Sequence, residues 1–86
     1  MPTESGSRRA YLARLAGALE VQGLAAWMTG RDEAVLLRVI NPSSRRSVHV
    51  ACLPCGEGPW LYLWSRGGQA TVEDPAAATR IAEVLS

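Results

Sequence analysis

Three residues able to hold a metal or exchange electrons stand at steps of three in the stretch HVACLPC: His49, Cys52 and Cys55. A Cys-x-x-Cys pair supports three kinds of chemistry. It is a redox couple when a helix N-terminus stabilises the first thiolate, half of a zinc site when further ligands face it, or otherwise two plain thiols. The residues that follow speak against the redox couple: Gly56-Glu57-Gly58-Pro59 opens no helix, so no peptide dipoles are aimed at the sulfur. Structural zinc wants four ligands, and the chain has no other cysteine and no other histidine. Glu57 could complete a set, but on a regular strand His49 and Cys52 point to opposite faces. The reading is that no metal and no cofactor is bound. His49, Cys52 and Cys55 are the candidate ligands if one is, and sharing across a dimer is the remaining route. Cys52 is expected as a small apolar core residue, Cys55 as a loop thiol, and His49 as a strand residue with a satisfied neighbour.

The second pattern is WLYLW, in which Trp60, Tyr62 and Trp64 recur at period two. Rings on one sheet face serve three purposes. They form an apolar patch covered by a partner or a second copy, they fill the protein's own core, or they stack nucleic-acid bases. Base stacking needs a basic surround, and Arg38 is the one arginine that the strand pattern places on that face. The interface reading ranks first, the core second, and nucleic acid or a small ligand last.

No catalytic set can be assembled. With a single histidine there is at most one His-centred triad, and no serine stands in an elbow motif. Gly67-Gly68 does not lead into a helix and cradles no phosphate. The acids Asp32-Glu33 and Glu73-Asp74 are sequence neighbours at element boundaries, where turn and cap roles explain them. The chain is therefore expected not to be an enzyme.

The elements that must position these residues follow from periodicity. Leu12, Leu15, Ala16 and Leu19 fall on one helical face, which predicts a helix over 8–22 with Ser7 as N-cap and Gly23 as stop. Residues 1–7 are read as a flexible tail, and 8–86 as a single small domain. Strands are predicted at 24–29, 33–40, 47–53 and 60–65, with a short fifth at 70–72. Asn41-Pro42-Ser43-Ser44 forms a turn, and Pro54 withdraws a ladder donor before a Gly-Pro-rich loop. Asp74 as N-cap and Pro75 at the first helical position start a closing helix, with Ala77, Ala78, Ile81, Val84 and Leu85 on its apolar face. The short links between strands require an antiparallel meander. The fold class is α+β: helix, four- or five-stranded antiparallel meander, helix, with both helices on one face of the sheet.

Alternation then assigns the faces. Val35, Leu37, Val39, Val48, Val50 and Cys52 suit the covered side. Leu36, Arg38, Ile40, His49, Ala51 and Leu53 point the other way. In the fourth strand Leu61 and Leu63 are assigned to the core, which sends Trp60, Tyr62 and Trp64 to the open face beside Arg38 and His49.

Composition narrows the function classes. The 86 residues suit one domain, and an apolar share of 48% suffices for a packed core. All nine basic residues are arginines, nearly balanced by eight acids, and the formal charge of +1 creates no field to steer a polyanion. Arg8-Arg9 and Arg45-Arg46 are read as solvated. No apolar run approaches the roughly 20 residues that span a bilayer. The expected location is cytoplasmic, where thiols stay reduced.

Three stretches, LLRVINPSSRRSVHVAC, WLYLWSRGG and DPAAATRIAEVL, together resemble a group of short uncharacterised actinobacterial proteins. The shared features are a strand ending in Arg-Val-x-Asn-Pro (Arg38, Val39, Asn41, Pro42), a strand with Val-x-Cys (Val50, Cys52), a Trp-Ser-containing aromatic strand (Trp64, Ser65) and an Ala-rich final helix reaching Ile81 to Leu85. Arg66 stands where that group has a second Trp. The resemblance covers most of the chain after residue 34 and implies a free-standing bacterial domain, but no activity. The functional expectation is a non-enzymatic protein-interaction or accessory module, a homodimer or bound to another protein, touching its partner through Trp60, Tyr62, Trp64 and Arg38. A thiol- or metal-dependent role at Cys52 and Cys55 is the alternative, and single-stranded nucleic-acid binding the weaker one.

Overall fold

A computed structural model describes residues 4–31, 34–65 and 67–86. Helix α1 (Glu4–Val21) leads into strands β1 (Ala25–Thr29), β2 (Leu36–Ile40), β3 (Ser47–Cys55), β4 (Gly58–Trp64) and β5 (Gly68–Thr71), and helix α2 (Ala77–Val84) closes the chain. The strands lie in chain order in one sheet, each antiparallel to the next, which is the α+β meander that the short links require.

Helix α1 begins earlier than its apolar period suggests, so residues 4–7 belong to the helix and Ser7 is inside it. Arg8, read from sequence as solvated, is only 5% exposed. Its Nε donates to the Cys52 carbonyl at 2.8 Å and its guanidinium lies 5.5 Å from the centre of the Trp60 ring. At the other end the Leu24 N–H bonds the Leu19 carbonyl and the Gly23 N–H bonds that of Glu20. That pair of bonds is a Schellman stop, with Gly23 at φ +85°.

Helix α2 starts two residues later than expected. Asp74 does not cap it directly: its Oδ1 accepts the Ala76 N–H at 2.8 Å, and its carbonyl accepts from Ala77. Asp74-Pro75-Ala76 is thus a separate turn, and Ala76 takes the cap position. The predicted Asn41 turn clamps the far end of the same helix. Asn41 Oδ1 accepts the Ser43 N–H at 2.9 Å, while its Nδ2 donates to the Leu85 carbonyl at 2.9 Å. The Ser44 hydroxyl donates to that carbonyl as well.

The core lies between the helices and one face of the sheet. Leu12, Leu15 and Leu19 of α1 and Ala77, Ala78 and Ile81 of α2, with Leu85 just beyond, meet Leu37, Val39, Val48, Val50, Cys52 and Tyr62. The faces assigned to β2 and β3 from sequence hold. The face assigned to β4 is reversed, and the pairing of β3 with β4 explains it. Near the turn, Cys55 pairs with Gly58 across the two-residue loop Gly56-Glu57. Gly56 has φ +55°, as the first central residue of a II′ hairpin turn requires. If that register continued, Cys52 would face Leu61 and Val50 would face Leu63, placing both leucines in the core. It does not continue, because Leu53 pairs with Leu61 and Cys52 with Tyr62. One residue, Pro54, therefore opposes two, Pro59 and Trp60. This is a β-bulge where neither proline has an N–H to give the ladder. A slip of one residue sends every later side chain of the strand to the other face.

Candidate interaction surface

The aromatic trio is turned inward by that slip. Tyr62 is 2% exposed and its hydroxyl donates to the Tyr11 carbonyl at 2.7 Å. Trp64 is buried over Gly68, where any Cβ would overlap the indole, and the Arg80 guanidinium lies 5.6 Å above its ring. Trp60 is half-buried between Arg8 and Tyr11, its ring centroid 5.6 Å from that of Tyr11. Tyr62 and Trp64 are core residues, and the expectation that the trio looks outward is corrected by the bulge.

What faces outward is the opposite row of each strand. Trp27, Arg38 and His49 are register partners across β1, β2 and β3, so Arg38 and His49 are neighbours as expected. Next to them lie Leu36, Ile40, Ala51, Leu61 and Leu63, all half-buried, and Leu53, 42% exposed. Trp27 is 45% exposed, with the Arg38 guanidinium 5.9 Å from its ring centre. The Arg38 Nε is buried without a hydrogen-bond partner. Neither helix covers this face. Among the described residues of the five strands that point this way, none is acidic. The surface is therefore a sheet face with leucines at its middle, the row Trp27, Arg38 and His49 across it, and Thr29, Ser47, Gln69 and Thr71 at its margins.

Trp27, Leu61 and Leu63 are the surface residues that alternation did not assign to this side; Leu53 stands where alternation put it. The signal for the two leucines was present in the sequence: Pro54 and Pro59 sit at one level of a tight hairpin, and two residues without N–H groups cannot hold a regular ladder there. Trp27 lacked such a signal, because Ala-Ala-Trp-Met-Thr is apolar on both sides.

The thiols lie apart from this surface in different ways. Cys52 is in the core, 1% exposed. Burial pushes its thiol up to about 11, against the opposing pull of Arg8 and Arg14, so at neutral pH it is protonated and a poor nucleophile. Cys55 is exposed at the end of β3, within the strand and its two-residue turn and not in a longer loop, and both cysteines are free. His49 and Cys52 face opposite sides of the sheet, as strand alternation demands. Among the described residues no three His, Cys, Asp or Glu side chains are grouped to hold a metal ion.

A cleft of about 400 Å³ opens between α1 and the β5–α2 link. Apart from exposed Glu73, its polar side chains are engaged within the protein. Arg14 donates to the Val72 carbonyl, Tyr62 to that of Tyr11, and Asp74 accepts from Ala76 while standing 3.7 Å from Arg80. This leaves a ligand little to bind. No helix among the described residues is long and apolar enough to cross a membrane. No family model matches this chain, and no curated protein or solved structure matches it.

Proposed function

We propose that the protein is a non-enzymatic interaction module that associates with a second copy of itself through the uncovered face of the sheet. The observation that carries this reading is the face itself: Leu36, Leu53, Leu61 and Leu63 form an apolar patch over which no helix lies, bordered by the row Trp27, Arg38 and His49 with Ile40 beyond it. An antiparallel sheet tolerates water on one face when that face is polar; here it is largely aliphatic. Burying it offsets the thin stability margin of so short a chain.

Trp27, Leu53 and Arg38 replace the aromatic trio as contact residues, and Arg38 is common to both sets. Light scattering coupled to size-exclusion chromatography tests the proposal. Wild type runs as a dimer, and Leu53→Asp, a change at a half-exposed position, runs as a folded monomer. A wild-type chain that remains monomeric at every concentration overturns it. A thiol-dependent role has less support, since the Cys52 thiol is buried and protonated and Cys55 has no partner thiol at hand.

A further inference from the structure

The two edges of the sheet differ. At one, β5 has four residues, and its Thr71 carbonyl accepts the Asp74 N–H of the turn that follows. At the other stands β1, Ala-Ala-Trp-Met-Thr, with no charge, no proline and no bulge to turn a neighbouring strand away.

The hydrogen-bond phase of the ladder shows which groups of β1 are free. The Asn41 N–H bonds the Arg46 carbonyl, one step beyond the pair of Ile40 and Ser47. Bonding alternates along an antiparallel strand, so Asn41, Val39 and Leu37 turn their backbone groups to β3. Ile40, Arg38 and Leu36 then turn theirs to Ala25, Trp27 and Thr29 of β1. The N–H and C=O groups of Ala26 and Met28 therefore point away from the sheet. No other described residue bonds to these four groups.

We infer that β1 pairs antiparallel with β1 of a second copy, about a two-fold axis that passes through Trp27 normal to the sheet. Ala26 of each copy then exchanges both backbone bonds with Met28 of the other, and all four free groups are used. An axis at Ala26 would bring Met28 to Leu24, whose N–H is already given to Leu19. An axis at Met28 would bring Ala26 to Gly30, outside the strand. Trp27 is 45% exposed with a strand on one side only, and the pairing sets its own copy on the bare side.

The charges beside the edge favour the same sense. The Arg9 guanidinium reaches the Met28 sulfur at 3.6 Å and marks the side of α1 above β1. Exposed Glu20 lies eleven residues on (9 to 20), about three helical turns, and so on that same side. The two-fold sets the helices head to tail, and Arg9 of one copy approaches Glu20 of the other. Exposed Arg31, just past the strand, moves toward the Glu20 end of the other copy as well. A parallel pairing would set Arg9 against Arg9.

This pairing does not depend on the cover of the sheet face: both open faces stay bare, side by side on one continuous sheet. A five-residue edge, ~17 Å long, buries less than the ~800 Å² per partner of a standard interface. The pair is therefore weak, with a dissociation constant on the order of 100 µM. It separates at chromatographic dilution and is caught by a covalent link.

The test is a disulfide that this register closes. With Cys55→Ser removing the exposed native thiol, Trp27→Cys sets two thiols at a non-hydrogen-bonded pair, Cα atoms about 4.5 Å apart. Mild oxidation above the dissociation constant should convert most of the chain to covalent dimer. Thr29→Cys, on the same face, would stand opposite Ala25, ~14 Å from its counterpart, and should link at less than about a tenth of that rate. Adding Ala26→Pro to Trp27→Cys removes a free N–H and none that β2 uses, and should slow the link about tenfold. Adding Leu53→Asp, on the sheet face, should leave the rate unchanged. Thermal melts confirm that each variant is folded. No link from Trp27→Cys, an equal link from Thr29→Cys, or a rate that Ala26→Pro leaves untouched overturns the edge pairing. A link lost with Leu53→Asp alone assigns the contact to the sheet face and overturns it too.

Discussion

Neighbouring residues of β4 show the two faces of the sheet side by side. Tyr62 is closed in by α1 and spends its hydroxyl on a helix carbonyl; Leu63, one residue on, is half open to solvent. The strand carries large apolar residues on both sides, so composition cannot tell inside from outside. The register set at Pro54 does. A strand hydrophobic on both faces is a strand with two surfaces to cover, and this chain has helices for one of them.

The comparison is most easily broken by paired substitutions on that strand. Tyr62→Ala should cost about 3–5 kcal/mol in folding stability, a large share of what a small domain has, while Leu63→Ala should cost about 1 kcal/mol or less in the monomer. Urea unfolding of both variants decides the matter; a more damaging Leu63→Ala would mean that the faces are assigned the wrong way round.

A smaller effect sharpens the inner side of the comparison through pH. Unfolded, the Cys52 thiol titrates near 9.0; folded, burial holds its proton to about 11. The folded chain then binds more protons than the unfolded chain across that window. Stability is therefore complete below pH 9 and declines as the pH rises toward 11. Tyr62 is shifted upward by burial too, which extends the loss above pH 10. Melting temperatures measured at pH 8 and pH 10.5 should show the drop, and Cys52→Ala should lessen it. On the same argument Cys55 reacts with iodoacetamide in the native protein, and Cys52 reacts only after unfolding.

The smallest effect belongs to neither face. Gly17 lies on the exposed side of α1 with open space where a side chain would go. Gly17→Ala should add about 0.5–1 kcal/mol of stability and leave the oligomeric state unchanged. A change in association there would mean that α1, and not the sheet, carries contacts.

Most of the architecture was legible because periodicity and punctuation agreed. Val-x-Val spacing oriented β2 and β3, Gly23 stopped α1, and Asn41-Pro42 made the turn that it usually makes. What sequence reasoning missed came from long-range contacts that leave no local trace. Arg8 is buried, not solvated, because it reaches a strand carbonyl 44 positions away. Asp74 holds a turn ahead of α2 instead of its cap. The site was half legible: Arg38 and His49 could be placed from alternation in β2 and β3. Trp60, Tyr62 and Trp64 were misplaced because Leu61 and Leu63 were assigned to the core, and alternation within β4 cannot say which row faces inward without the bulge at Pro54.

That bulge also bears on where the chain tolerates a deletion. Loss of one residue at Pro59 or Trp60 would make the ladder regular with Leu61 still opposite Leu53 and Tyr62 still opposite Cys52, so β4 would keep both of its faces. Loss of one residue from an exposed link, such as the arginine pair after Ser44, would alter a turn and leave both faces in place. In the coding sequence, the loss of three nucleotides around position 59 therefore leaves the facing of β4 as it is, just as the loss of three nucleotides in that link does.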